Sequence, residues 1–103
     1  MNHTNEASRF LKALANPHRL RILIQLSGGE KSVSELERLL NLRQPSLSQH
    51  LARLRADKIV EPRRDGKAVY YALASPTAME VLDLVEKAFG DEDQKPSRHA
   101  IAS

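Results

Sequence analysis

Between Gln44 and Arg53 the chain brings together Gln44, Ser46, Ser48, Gln49, His50 and Arg53, a run of amides, hydroxyls, an imidazole and a guanidinium. These are groups that hydrogen-bond base edges and phosphate oxygens in the major groove of duplex DNA. The run lacks the carboxylate cluster that a metal or hydrolytic site would need. Leu47, Leu51 and Leu54 recur within it at i, i+4 and i+7. That spacing puts the leucines on one stripe of a helix, to be packed, and leaves the polar groups on the face that can read something.

Charge supports the same partner. The chain has 16 Lys and Arg against 13 Asp and Glu, a net charge of +3. Residues 43–67 hold seven of the bases and three of the acids, so this segment is +4 and the remainder is −1. Concentrated positive charge suits a polyanion at that segment, whereas an evenly spread surplus would read only as a solvated surface. With no cysteine among 103 residues, disulfides, thiolate metal sites and nucleophilic thiols are excluded. No window approaches the ~18 apolar residues of a membrane span, and MNHTNEASRF has no signal-peptide core. The expectation is a soluble cytoplasmic domain with one small core, completed by a partner subunit.

Other elements must hold the reading helix in place. Ala7, Phe10, Leu11 and Leu14 mark a first amphipathic helix, and Asn16-Pro17 ends it while capping a second. That second helix, HRLRILIQL, is apolar around most of its circumference and runs to Gly28-Gly29. Arg19 and Arg21 near its start read as solvated surface. Ser32 and Glu35 have capping-box spacing, and Leu36, Leu39 and Leu40 give a short third helix its buried stripe. Asn41 to Gln44 is long enough for a tight turn into the fourth helix, where Pro45 is tolerated in the first turn. Ile59–Arg64 and Lys67–Leu73 then read as two strands around an Asp65-Gly66 turn, with Pro62 requiring an edge. Arg63, Arg64 and Lys67 cluster at the tip of this hairpin. Ser75-Pro76 opens a last helix whose Ala78, Val81, Leu82, Val85, Ala88 and Phe89 form a sustained apolar stripe.

The fold class this implies is mainly α with a small β-hairpin wing, a winged helix-turn-helix of order α-α-α-α-β-β-α. Residues 1–89 would be the DNA-binding and dimerisation domain, and 90–103 a disordered polar tail. The stripe on the last helix asks for a partner, so a homodimer through the first and last helices is expected, using Phe10, Leu11, Leu14, Val81, Leu82, Val85 and Phe89. Packing onto the chain's own core would use the same pattern.

With these elements placed, LKALANPHRLRIL (residues 11–23), SVSELERLLNLRQPSLSQHLARLR (32–55) and RRDGKAVYYAL (63–73) together resemble the ArsR/SmtB family of winged-helix repressors. The wording RQPSLSQHL is most similar to the subgroup that includes NolR, BigR and HlyU. The resemblance implies a homodimer on a pseudo-palindromic operator that represses until a signal weakens binding. Where the family's arsenic and cadmium sensors carry Cys-Val-Cys-Asp-Leu, this chain has Ser32-Val33-Ser34-Glu35-Leu36, and hydroxyls do not replace soft thiolates. The zinc sensors' histidines on the last helix have no counterpart in residues 75–89, and the subgroup's redox cysteines have none at all. Of the four histidines, His18 suits a helix-start contact and His50 a packing or phosphate contact; His3 and His99 lie near the two ends without fixed carboxylate partners. No metal or cofactor is expected.

Many family members have glycine after the recognition helix, where this chain has Lys58, so positive φ is expected at a lysine. The residues point to a sequence-specific transcriptional repressor that binds double-stranded DNA. Gln44, Ser46, Ser48 and Gln49 would face bases; His50, Arg53, Arg63, Arg64 and Lys67 would lie along phosphates or the minor groove. The competing reading is a winged helix that binds protein; an enzyme is not indicated, because no acid, base and nucleophile set stands out. The signal stays open between a small molecule held by the first and last helices, a histidine-bound metal, and none.

Overall fold

The computed structural model describes residues 2–90. The expected tail beyond Gly90 lies outside them. Its elements are α1 (Asn2–Leu14), α2 (Pro17–Ser27), β1 (Lys31–Ser32), α3 (Val33–Leu40), α4 (Gln44–Ala56), β2 (Val60–Asp65), β3 (Ala68–Leu73) and α5 (Pro76–Val85), closed by a π-helical turn at Glu86–Gly90. All seven expected elements are present. An eighth, β1, pairs Lys31 with Tyr71 and Ser32 with Tyr70, giving a three-stranded antiparallel sheet of order β1-β3-β2. Two residues are too short a run for alternation to register, so the strand was invisible in the sequence. Pro62 does sit on the edge strand β2.

Local chemistry sets the helix ends. Asn16 accepts from the backbone N–H groups of His18 and Arg19, and Pro17 follows as the first residue of α2. Ser32 and Glu35 close a reciprocal capping box at α3, which holds the Glu35 carboxyl below its ordinary range. Two C-termini are closed by arginines of α2. Arg19 donates to the carbonyls of Ala13 and Lys12 at 2.7 and 3.1 Å, and Arg21 to that of Leu40 at 3.1 Å. Neither is mere solvated surface: each satisfies carbonyls that a helix end leaves without partners.

The end of α4 is a Schellman motif. Ile59 N–H bonds to Leu54 O and Lys58 N–H to Arg55 O, both at 2.9 Å, while Lys58 takes φ 60°. The expected positive φ is therefore present, held by the two backbone bonds and by Ile59, which is fully buried.

The core gathers Ile22, Leu23 and Leu26 of α2, Leu36 and Leu40 of α3, and Leu47, Leu51 and Leu54 of α4 around Ile59, Val60 and Leu82. Several expectations need correcting here. Leu39 is exposed on α3, not part of its buried stripe. Leu14 and Leu82, expected at a dimer interface, are 5% and 1% exposed within the single chain, so its own core consumes them. Phe10, Val81 and Val85 are half-buried, and Leu11 and Phe89 are exposed. Met79 and Leu84 join them as apolar side chains left open. The hairpin turn is Gly66-Lys67, flanked by the Asp65–Ala68 pair, not Asp65-Gly66. Glycine with φ 63° at the first central position is the geometry of a II′ turn, whose twist matches the strands.

Candidate nucleic-acid interface

Burial of Leu47, Leu51 and Leu54 fixes the rotation of α4 and leaves Gln44, Ser48, Gln49 and Arg55 exposed. An open groove runs between this helix and the wing. Gln44, Ser48 and Arg55 line it from α4, Arg64 and Lys67 line it from the hairpin, and Pro62, Val69 and Tyr71 form part of its apolar wall. No carboxylate lines it, and its three cations are Arg55 on the helix side and Arg64 and Lys67 on the hairpin side. Such a surface fits a phosphate backbone and places hydrogen-bonding side chains beside it.

The polar residues of α4 are partly pre-set. Gln44 Nε2 donates to Glu37 Oε2 of α3 at 3.2 Å, and Ser48 Oγ donates to Gln44 Oε1. Gln44 is thus oriented from the preceding helix. Gln49 is exposed, whereas Ser46 is half-buried and does not line the groove.

Two expected contact residues have other duties, and a third lies away from the groove. His50 turns toward α2, its ring 5.4 Å from that of His18 and its Nδ1 3.5 Å from Arg19 Nη1. Burial, with Arg19 and His18 beside it, pushes its pKa down. It is a packing residue between helices. Arg63 leaves the groove altogether. Its Nε and Nη2 bind both oxygens of Glu30 at 2.9 and 2.8 Å, and its guanidinium lies 4.7 Å from the centre of the Tyr70 ring. The Glu30 carboxyl is pulled below its ordinary range in consequence. Arg53 sits on the flank of α4 away from the wing and is held by Asp57. Arg64 and Lys67 line the groove from the hairpin.

Arg55 was missed. Its signal was legible, because Gln44, Ser48 and Arg55 are four and seven residues apart and so share a helix face. Glu30 and Glu37 carried no such signal, since their partners are 33 and seven residues distant across turns. Among the described residues no cluster of His, Asp and Glu could hold a metal ion, and no helix is long and apolar enough to cross a membrane.

Helix-turn-helix, basic hairpin and the groove between them define a winged helix-turn-helix transcriptional regulator. Residues 16–61 match the family described as bacterial regulatory protein, arsR family. A biofilm growth-associated repressor of Agrobacterium fabrum is 43% identical over 84 residues, covering 82% of this chain and 72% of the repressor. The solved structure of HlyU from Vibrio cholerae superposes with a TM-score of 0.82 at 40% identity, covering 85% of this chain and 96% of that one. A homodimeric winged helix-turn-helix DNA-binding domain, Mb0332 from Mycobacterium bovis, gives 0.76 at 30% identity, covering 86% and 82%. The chain belongs to the arsR family.

Proposed function

We propose that this regulator works as a homodimer on a pseudo-palindromic DNA operator and represses transcription from it, in the cytoplasm, with residues 1–89 as the working unit. The observation that carries the reading is the carboxylate-free groove in which Arg55 of α4 stands opposite Arg64 and Lys67 of the wing. Gln44, Ser48 and Gln49 read bases, with Ser46 at the edge of that surface. Arg55, Arg64 and Lys67 neutralise phosphates. Repression is supported by the similarity to a named repressor, and the homodimer by the similarity to a homodimeric domain. The open apolar side chains Leu11, Met79, Leu84 and Phe89, on or next to the first and last helices, supply surface for it. A thiol-based signal has no residue to act on in a chain without cysteine.

Selection of genomic fragments by the purified protein tests this. A dimer of this fold selects fragments with two inverted half-sites about 10 bp apart, or multiples of that spacing. Transcription downstream of such a site should rise when the gene for this protein is deleted. Selected fragments without inverted repeats, or transcription that falls on deletion, would contradict the dimeric-repressor reading.

A further inference from the structure

Asp57 ends α4, and its side chain is only 6% exposed. Two arginines from different helices converge on it. Arg9 Nε, from α1, donates to Oδ1 at 2.7 Å, and Arg53 Nε, one turn earlier on α4, donates to Oδ2 at 3.0 Å. Burial raises the cost of this carboxylate, yet the bonds from Arg53 and Arg9 outweigh it and hold the carboxyl below its ordinary range.

Neither arginine is used up by the contact. Each offers only Nε to Asp57, and among the described residues neither guanidinium makes another hydrogen bond. The two terminal amino groups of each remain as donors, on side chains 67% and 39% exposed. Arg19 adds a third cation close by, its own charge disfavoured by burial and by Arg53. Two guanidiniums on one carboxylate, with Arg19 nearby, leave the cluster net positive.

Position gives this surplus a use. Arg53 lies on the flank of α4 away from the wing, beyond His50, which packs on His18 of α2, whereas Gln44, Ser48 and Arg55 share the flank that faces the wing. A helix seated in a major groove has a sugar-phosphate strand on each side. In that seating the wing groove would lie toward one strand and the Arg9–Asp57–Arg53 cluster toward the other.

We infer that Arg9 and Arg53, held in place by Asp57, form a second site for backbone phosphate on the flank of α4 away from the wing. This rests on the reading of α4 as the DNA-facing helix. The ligand is a phosphodiester, whose two free oxygens match the fork of a guanidinium. Asp57 is a positioning residue: by fixing both Nε atoms it removes rotamer freedom that phosphate binding would otherwise have to freeze.

The test is salt-dependent binding of the full chain to a selected operator fragment and to scrambled DNA, for wild type, Arg9→Ala, Asp57→Asn and Arg64→Ala. Arg9→Ala should weaken both DNAs alike by about tenfold, and the salt slope should fall by about one, with helicity and oligomeric state unchanged. Asp57→Asn makes the protein more positive, so charge alone predicts tighter binding, whereas loss of positioning predicts binding about threefold weaker. Arg9→Ala with a wild-type slope, beside an Arg64→Ala whose slope has dropped, would overturn the inference. So would a defect of Arg9→Ala that disappears once its dimer is restored by concentration, or an Asp57→Asn that binds at least as tightly as wild type. If wild type itself bound no DNA, the failure would belong to the DNA-binding reading.

Discussion

The side-chain amide of Gln44 on α4 donates to the carboxylate of Glu37 on α3, at 3.2 Å, so the preceding helix orients a polar side chain at the start of α4. Gln44 and Ser48 form one pre-oriented unit along the groove, while Gln49 stands free on the exposed face. Gln49→Ala should therefore relax base preference by about 1–3 kcal/mol at one position per half-site and leave binding to scrambled DNA nearly unchanged. Competition of wild type and variant against single-base operator variants measures it.

Two neighbouring arginines of the wing should behave differently. Arg64 lines the groove, and its removal should weaken cognate and scrambled DNA equally and lower the salt slope by about one. Arg63 is committed to Glu30 and Tyr70, so Arg63→Ala should leave the slope unchanged and show itself as a small loss in thermal stability. Equal slope losses in both variants would mean that Arg63 abandons Glu30 when DNA is bound.

Lys58 occupies a left-handed conformation in which a Cβ is unfavourable. Lys58→Gly should raise unfolding free energy by about 0.5–1 kcal/mol, the greater chain freedom of an unfolded glycine offsetting part of the relief. Urea denaturation at pH 7 checks the sign.

His50 is half-buried beside Arg19 and His18, and partial burial together with these neighbours depresses its folded pKa. As pH falls through about 6.5, the unfolded chain takes up a proton that the folded one refuses, so stability declines until the folded pKa is also passed. His50→Gln should flatten the dependence of melting temperature on pH below about 6.5. An unchanged slope in that variant would assign the effect to other groups.

Apolar residues on the terminal helices should separate into two kinds. Leu82 is in the core, and Leu82→Ala should cost about 2–5 kcal/mol of folding stability. Leu11 is 54% exposed, and Leu11→Glu should spare the fold while shifting the protein toward monomer in sedimentation.

Much of this architecture was legible in the chain because its signals are local. Asn16-Pro17, the Ser32/Glu35 box, Ser75-Pro76 and the leucines of α4 each act within a turn or two of helix, and each element formed where they placed it. The turn after α4 was legible too, since Lys58 stands where a left-handed residue was needed. What escaped depends on contacts distant in sequence. Arg63 looked like a wing-tip cation until Glu30, 33 residues earlier, was folded against it. Arg19 looked solvated until α1 ended within its reach, and Asp57 gave no sign that Arg9, 48 residues away, would meet it. Apolar periodicity likewise could not say whether Leu14 and Leu82 face the chain's own core or a second copy; burial in the single chain gives them to the core.

On the proposed function, the face of α4 and the wing discriminate one DNA sequence from others. The equilibrium affinity of the wild-type protein for its selected operator, against scrambled DNA of equal length near physiological salt, measures this directly. The expected ratio is at least ~10³. Equal affinity for both would contradict it.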